Sequence, residues 1–281
     1  MVRWLTLMHH SVMRIRDALQ ATGIARADAE ILLAEILACD RSSLIARSDD
    51  ELRQGDLQLW TRLVERRRMS EPVAYILGRQ EFYGRNFLVG PGVLIPRPST
   101  EGVVRLALEF LRNKEERIEE VDSGIVVSSR RMQAWRESPS LIVDLGTGCG
   151  CIGMTLALEV PKMRVTATDI SGDALGIAEK NRKALGIESR VALYRGESLD
   201  AAGKIHEPFL LVSNPPYIPD GTKLMDDVQK YEPPVALFGG KMGTDILENL
   251  LKKAHAHPLC VGIVVECHSD QLRCMDERGE A

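Results

Sequence analysis

The segment Asn214-Pro-Pro-Tyr217 combines residue types that could bind and orient an amino group. Pro215 and Pro216 restrict the backbone after Asn214, so that its carboxamide and the Pro215 carbonyl can be held toward a ligand, while Tyr217 adds an aromatic wall. Two oxygen acceptors can take both hydrogens of a planar NH2 group and hold its nitrogen in line with an electrophilic methyl carbon, such as that of a sulfonium. A purely structural turn is the alternative interpretation.

A glycine-rich segment, DLGTGCGCIG, lies upstream over residues 144–153. Its glycines let the backbone turn sharply and let a ligand approach the amide groups without interference from a Cβ atom. The part from Gly148 to Gly153 also matches GxGxxG, the dinucleotide pattern. Asp169 is placed to accept hydrogen bonds from ribose hydroxyls, in either an NAD or an S-adenosylmethionine enzyme, or to cap a loop. The segment at Asn214 is what favours S-adenosylmethionine.

From residue 141 onward, the sequence predicts strands that alternate with helices. This alternation is typical of an α/β fold with a mainly parallel, doubly wound sheet, in which ligands bind at the carboxyl ends of the strands. Both motifs follow directly after predicted strands, so we expect them to meet at one crevice. The predicted strands are Leu141–Leu145, Arg164–Asp169, Arg190–Tyr194, Phe209–Ser213 and Cys260–Glu266. One predicted helix begins near Ile152, and two more span Gly172–Leu185 and Thr244–Ala256.

The length of 281 residues suggests two unequal domains. Residues 1–70 have helical periodicity, with Asp28 as a predicted cap and a helix over Leu52–Arg68, and indicate a small helical bundle. Residues 71–98 change to short β-branched and aromatic runs punctuated by glycine, which predict a β-hairpin linker. Residues 99–281 form the predicted α/β domain, and within them residues 113–140 predict a helix end followed by an exposed loop.

Charge and composition exclude several classes of function. The chain has a net charge of −4, and 15 basic against 20 acidic residues give residues 141–281 a charge of −5. Proteins that neutralise many phosphates present a basic surface, so this charge argues against nucleic acid as a partner. The sequence contains neither an apolar run long enough to span a membrane nor a recognisable signal peptide, which predicts a cytoplasmic protein without a membrane partner. The six cysteines form no CxxC pair, so we expect reduced thiols and no metal site.

Taken together, these motifs identify a resemblance to the HemK/PrmC-type glutamine methyltransferases, which methylate the N5 nitrogen of the glutamine in the GGQ motif of peptide chain release factors. The resemblance extends over nearly the whole chain. It implies a Rossmann-like S-adenosyl-L-methionine-dependent methyltransferase domain, preceded by a helical domain that recognises the protein substrate and by a β-hairpin linker. The matching segments are RRRMSEPVAYILGRQEFYGRNFLVGPGVLIPRP (66–98), DLGTGCGCIG (144–153), ATDIS around Asp169, VSNPPYIP (212–219) and YEPPVALFGG (231–240).

The resemblance also implies roles for individual residues. Those implied to bind the cofactor S-adenosyl-L-methionine are Gly146, Thr147, Gly148, Cys149, Gly150, Asp169, Glu197, Ser198 and Asn214. Those implied to bind the substrate glutamine, in a release factor as the partner protein, are Asn214, Pro215, Pro216 and Tyr217, with Arg97 and Glu101 bordering the site. The Asn-Pro-Pro-Tyr segment would then also carry the catalysis.

The sequence departs from the family pattern at Ser99, Met242 and His268, and Ser198 replaces a larger residue that would cover the adenine. Family members continue after the fifth strand with a helix and a closing β-hairpin, whereas the printed sequence ends at Ala281, so it reads as truncated there. We therefore expect the strand Cys260–Glu266 to have an open edge through which the protein associates with a partner chain.

Alternative functions stay open at this point. An adenine-N6 nucleic-acid methyltransferase would use the same Asn-Pro-Pro-Tyr chemistry on an extruded base. A homologue with impaired activity would bind release factors without modifying them. The acceptor protein is also open, because ribosomal-protein glutamine methyltransferases share the motif. For the principal reading we expect direct in-line transfer, with Asn214 and the Pro215 carbonyl orienting the NH2 group and favouring the positive charge that develops on its nitrogen.

Overall fold

The computed structural model describes residues 13–20, 22–112, 125–129, 139–197, 199–203, 205–268 and 271, with residues 125–129 described by their backbone alone. The helices are α1 Ile15–Gln20, α2 Arg26–Ile36, α3 Arg41–Ala46, α4 Gln54–Arg68, α5 Val73–Leu77, α6 Glu101–Arg112, α7 Cys151–Glu159, α8 Gly172–Ala184, α9 Asp226–Tyr231 and α10 Asp245–Ala256. The strands are β1 Arg79–Phe82, β2 Arg85–Leu88, β3 Ile125–Ser129, β4 Leu141–Leu145, β5 Arg164–Asp169, β6 Val191–Arg195, β7 Phe209–Ser213 and β8 Cys260–Glu266.

The chain divides into two compact units. One consists of Met1–Gly78 with Met225–Tyr231, and the other of Arg79–Leu224 with Glu232–Ala281. Among the residues described, none of the helices has both the length and the apolar character that crossing a bilayer requires.

The first unit is helical and is built around a core to which α2 and α4 contribute Leu32, Leu33, Trp60 and Val64, all fully buried. α2 begins after Ala25, so the predicted cap Asp28 lies in its first turn instead. The Asp28 carboxylate is taken by the guanidinium of Arg67, whose Nε atom lies 2.7 Å from Oδ2. The prediction of a cap failed because this tertiary ion pair is invisible to local sequence patterns.

The second unit contains a six-stranded sheet with the order β3-β8-β7-β4-β5-β6. Strands β4 to β8 run parallel, and β3 is antiparallel to β8. Every residue of β4, β7 and β8 is buried, as expected for parallel strands that are covered on both faces. The strand order reverses between β4 and β7, which creates the crevice where open α/β sheets bind ligands. The predicted doubly wound α/β fold is confirmed.

β3 lies in the segment predicted to be an exposed loop. Its presence contradicts that prediction and also the prediction that β8 has an open edge. Its register with β8 runs from Ile125 opposite Glu266 to Ser129 opposite Gly262. β8 therefore has strand neighbours on both sides, and the prediction of an open edge at β8 is wrong. The short run IVV is embedded in a charged, serine-rich stretch, which hid its β-forming character. The predicted association through that edge loses its structural basis.

The segment 71–98 contains a short helix as well as the predicted hairpin. α5 follows Pro72 and ends at Gly78, whose φ of 73° is in the left-handed region that glycine tolerates best. β1 and β2 then form the antiparallel hairpin, with Phe82 and Phe87 buried and in edge-to-face contact at 6.1 Å between ring centroids. The run VAYIL resembled a strand because periodicity alone does not distinguish short apolar strands from short helices.

Candidate active site

A cavity of about 390 Å³ lies at the carboxyl ends of β4, β5 and β7. This volume suits a nucleoside-sized ligand with a small additional group. Of the residues predicted for the site, those lining the cavity are Gly146, Thr147, Gly148, Cys149, Asp169, Glu197, Asn214, Pro215 and Pro216. Gly150, Tyr217, Arg97 and Glu101 lie outside this lining, and Ser198 lies outside the described residues.

Asp144 stabilises the glycine-rich loop between β4 and α7 by accepting hydrogen bonds from it. Oδ2 of this fully buried carboxylate accepts hydrogen bonds from Thr147 Oγ1 at 2.6 Å and from the Gly153 amide at 3.0 Å. Burial raises the pKa of Asp144 to about 6. Asp144 therefore fixes the shape of the loop from within the core. Gly146, Thr147 and Gly148, and not Asp144, line the cavity.

Three glycines with positive φ allow the loop to turn. Gly146 has φ of 67°, Gly148 has φ of 57°, and Gly150 has φ of 91° at the position that precedes α7. This left-handed backbone favours glycine at Gly150, which explains its place in the motif although it does not line the cavity.

Asp169 ends β5 and is connected to the glycine loop. Its Oδ2 accepts a hydrogen bond from the Gly148 amide at 2.8 Å, and its Oδ1 accepts one from the Ser171 amide at 2.9 Å. The residue is 9% exposed, and burial raises the pKa of its carboxyl group. Each oxygen keeps acceptor capacity, so Asp169 can bind the hydroxyl groups of a ligand in the cavity. The fixed carboxylate and the glycine loop together suit a ribose-containing cofactor.

Asn214 follows β7 on the other side of the cavity. Its Nδ2 atom donates a hydrogen bond to Thr100 Oγ1 at 3.0 Å, so its orientation is held by a residue that the sequence did not single out. Thr100 is 2% exposed and also lines the cavity. The sequence contains one signal for it, its position shortly after the IPRP block and directly before α6, but no indication of its partner.

The backbone after Asn214 is held by contacts with Gly239 and by hydrogen bonds from the buried Gln271. Gln271 Nε2 donates to the carbonyl oxygens of Tyr217 at 2.7 Å and of Gly243 at 3.1 Å. A Cβ atom at Gly239 would lie 2.3 Å from the carbonyl oxygen of Pro216, so this contact requires glycine. The segment from Pro216 to Tyr217 is therefore fixed by tertiary contacts in addition to its prolines.

Arg97 and Glu101 are placed beside the site and are occupied by other partners. The Arg97 guanidinium binds the carboxylate of Glu232, which also accepts a hydrogen bond from the Ile95 amide at 3.0 Å. The Glu232 side chain is only 1% exposed, so this ion pair anchors the IPRP segment. Glu101 accepts a hydrogen bond from the Tyr83 amide at 2.9 Å and thus holds the hairpin turn.

A second buried carboxylate, Glu266 at the end of β8, lies behind Thr100. Its Oε1 accepts a hydrogen bond from Ser99 Oγ at 2.8 Å, and the residue is 4% exposed. Burial raises the pKa of Glu266, while the neighbouring hydroxyls of Thr100, Ser99 and Tyr217 and the charge of Arg97 act in the opposite direction. Burial likewise raises the pKa of Tyr217, so its phenol stays protonated at neutral pH. Thr100, Glu232, Glu266 and Gln271 complete the site that the motifs only outline.

Comparison of the chain with known proteins identifies its family. Residues 12–78 match the family described as the PrmC N-terminal domain, and residues 119–230 match the methyltransferase small domain. A release factor glutamine methyltransferase of Koribacter versatilis is 39% identical over 234 residues, which cover 83% of this chain and 75% of the relative. One from Chlorobaculum tepidum is 40% identical over 217 residues, covering 75% and 68%. A methyltransferase crystal structure from Pyrococcus furiosus has a TM-score of 0.44 at 18% identity, covering 70% of this chain and 78% of that one.

The two curated relatives share their printed name, and they are matched over most of this chain and of their own length. We conclude that the chain belongs to the release factor glutamine methyltransferase family.

Proposed function

We propose that this protein transfers a methyl group from S-adenosyl-L-methionine to the side-chain amide nitrogen of the glutamine in the GGQ motif of peptide chain release factors. The observation that carries the proposal is the position of Asn214 and Pro215 on the same cavity as the glycine loop and Asp169. An acceptor for amide hydrogens and a site for a ribose-containing cofactor thus lie on one cavity. The names of the family relatives support release factors, in preference to ribosomal proteins, as the acceptor.

The residues around the cavity have complementary roles in holding the cofactor. Asp169 accepts hydrogen bonds from the ribose hydroxyls, and Gly146 to Gly150 let the methionine part approach the backbone closely. Glu197 is exposed, follows β6 and lines the cavity, and we assign it, with Ser198 next to it in sequence, to the adenine. The acidic character of this half of the chain favours a cationic cofactor. When bound, the cofactor supplies an electrophilic methyl group on a sulfonium.

The acceptor amide is a weak nucleophile because its nitrogen lone pair is delocalised. Asn214 Oδ1 and the carbonyl oxygen of Pro215 accept its two hydrogens and hold the nitrogen in line with the methyl carbon. The same two oxygens stabilise the positive charge that develops on nitrogen as the new C–N bond forms and the C–S bond breaks. Transfer would leave the donor as a neutral thioether, and the methylated nitrogen would release one proton to solvent. Pro216 and Tyr217 fix the backbone that carries these groups.

Three of the four departures from the family pattern, Ser99, Met242 and His268, are compatible with activity. Ser99 makes a hydrogen bond to Glu266, Met242 is 61% exposed, and His268 is exposed while its backbone amide donates to Gln271 at 3.0 Å. Each substituted residue thus leaves the contacts around Asn214 and Tyr217 formed. This observation supports an active enzyme over a homologue that only binds release factors.

The decisive experiment incubates the protein with a release factor and S-adenosylmethionine carrying a labelled methyl group. We expect label on the release factor and none on a variant whose GGQ glutamine is replaced by alanine. DNA and RNA serve as parallel acceptors, and a ribosomal protein fraction as a third. Label on nucleic acid alone would establish the adenine-N6 alternative, whereas cofactor binding without transfer to any acceptor would establish an impaired homologue.

A further inference from the structure

The orientation of the Asn214 carboxamide decides what the site can accept. An amide group has an acceptor oxygen and a donor NH2 of nearly equal size, so the two flipped orientations fill the same space with opposite hydrogen-bonding character. Only one of them presents Oδ1 to the cavity. A site that holds the NH2 group of a glutamine needs that orientation, and the reverse orientation would place donors against donors.

A chain of three polar groups selects this orientation. Asn214 Nδ2 donates to Thr100 Oγ1 at 3.0 Å, which directs Oδ1 away from Thr100. A threonine hydroxyl has one proton to give and lone pairs with which to accept. The Glu266 carboxylate, which the hydroxyl of the adjacent Ser99 contacts at 2.8 Å, lies beside Thr100 and can accept its proton, and the Thr100 lone pairs are then left for Nδ2.

Glu266 is suited to receive that proton because it is a buried carboxylate with an oxygen that is not yet hydrogen-bonded. The residue is 4% exposed, and Ser99 Oγ donates to its Oε1 at 2.8 Å. Within the part of the chain that the structure describes, Oε2 is buried without a hydrogen-bond partner, and the hydroxyls of Thr100 and Tyr217 lie beside the carboxylate. A buried carboxylate strongly favours donors within reach, and this preference directs the Thr100 proton toward Glu266 in preference to Asn214.

We propose that Thr100 and Glu266 are positioning residues that lock Asn214 with its oxygen toward the acceptor and thereby make the site select a glutamine amide over a glutamate carboxylate. This inference rests on the proposed function and adds the origin of its selectivity. Neither residue reacts. The unflipped Asn214 accepts hydrogens from an amide and repels a carboxylate, which has only lone pairs to offer.

The test compares two release factors, one with the native GGQ motif and one with GGE, for binding to the cofactor-loaded enzyme and, for GGQ, for kcat and KM. In Thr100→Val the hydroxyl is lost at constant volume. We expect kcat/KM for the GGQ protein to fall about 10- to 100-fold, the size of losing one hydrogen bond to a buried polar group. We also expect the preference for GGQ over GGE in binding to fall about tenfold or more, with the dissociation constant of the cofactor unchanged within about twofold.

The structure provides a matched control and a rescue. Thr155 on α7 is also fully buried, and its hydroxyl has no hydrogen-bond partner among the described residues, so Thr155→Val makes the same chemical change away from Asn214. We expect that variant to keep the GGQ preference. Thr100→Ser keeps the hydroxyl and should restore the preference. Glu266→Gln replaces a group that only accepts with an amide that can also donate to the Thr100 oxygen, so it should reduce the preference even if Thr100→Val fails to fold.

The outcomes separate this inference from the proposed function. If the unmodified enzyme methylates the GGQ protein, but Thr100→Val and Glu266→Gln keep its preference for GGQ over GGE, the positioning role is wrong and the proposed function stands. If the unmodified enzyme fails to methylate the GGQ protein, the proposed function is wrong and the selectivity falls with it. Equal loss of cofactor binding and turnover in Thr100→Val, with the preference intact, would show a merely structural role.

Discussion

At the scale of single residues, Asn214 should dominate catalysis. Replacing Asn214 with alanine removes one of the two oxygens that orient the acceptor, and we expect turnover to fall about 100- to 1,000-fold, as when one donor or acceptor is removed from a preorganised transition-state site. Binding of the cofactor, measured by isothermal titration, should change little. Asn86 on β2 is exposed, so Asn86→Ala is the control with the same chemical change. Unchanged turnover in Asn214→Ala would contradict the role given to this residue.

Asp144 should give the stability of the protein a distinctive pH dependence. Burial raises its pKa in the folded state to about 6 from an ordinary value of 3.8, so the folded state holds this proton more tightly than the unfolded state does. Its contribution to stability is therefore complete below about pH 4 and is lost as the pH rises through 6, by about 3 kcal/mol in all. Asp144→Asn has no charge to bury and lacks this loss.

We expect the difference in unfolding free energy between Asp144→Asn and the native protein to shift by about 2.4 kcal/mol in favour of the variant between pH 4 and pH 7. Urea denaturation at a series of pH values measures it. Because other carboxyl groups titrate in both proteins, only the difference between them reports on this site. A difference that stays constant with pH would show that Asp144 ionises in the folded state as it does in the unfolded state.

At the scale of elements, Asn181 on α8 connects the hairpin to the glycine loop. Its Nδ2 donates to the carbonyl oxygens of Leu88 at 3.0 Å and Cys149 at 2.8 Å, and its Oδ1 accepts from the Leu88 amide at 2.7 Å. The residue is 1% exposed, so Asn181→Ala leaves three backbone groups without this partner. We expect a loss of about 3 kcal/mol in unfolding free energy and weaker cofactor binding.

Two measurements, urea denaturation and cofactor titration, check this coupling of α8, β2 and the loop. Asn181→Asp keeps an acceptor for the Leu88 amide but places a buried carboxylate oxygen against two carbonyl oxygens, so we expect it to lose at least as much stability as Asn181→Ala at neutral pH. If Asn181→Ala loses stability while its cofactor affinity is unchanged, the loop is held adequately by Asp144 and Asp169 alone.

The elements also show how much of the fold could be predicted. The strands β4, β5, β7 and β8 were predicted with their observed bounds, because continuous apolar runs between turn signals leave little ambiguity. β3 and α5 were missed because short segments gain their structure from neighbours, β3 from β8 and α5 from the helical core. Their sequences alone carry too weak a preference.

In the candidate site, the sequence motifs identify nine residues that line the cavity but do not reveal which residues hold them in place. The Asn-Pro-Pro-Tyr segment and the glycine loop are contiguous motifs, and so could be recognised. Thr100 contacts Asn214 across 114 positions of the chain, and Ser99 contacts Glu266 across 167. Such partners are brought together by the sheet topology, and local spacing carries no information about them.

At the scale of the whole molecule, the sheet order bears on association. β3 covers one side of β8 with a register of five residue pairs. A strand edge left open would present unpaired backbone groups to other chains, so we expect β3 to suppress association through β8. This reverses the expectation drawn from the sequence, in which β8 was the open edge.

Val127→Pro tests this assignment, because Val127 is the central residue of β3 and lies opposite Val264. Proline removes a backbone donor and fixes φ, which weakens the pairing of this five-residue edge strand with β8, so β3 should detach more readily and expose β8. We expect size-exclusion chromatography to show more association for Val127→Pro than for the native protein, increasing with concentration, together with a lower melting temperature. Val127→Thr retains a β-branched residue and serves as the control. Equal elution of all three proteins at every concentration would mean that β3 does not protect β8 from association.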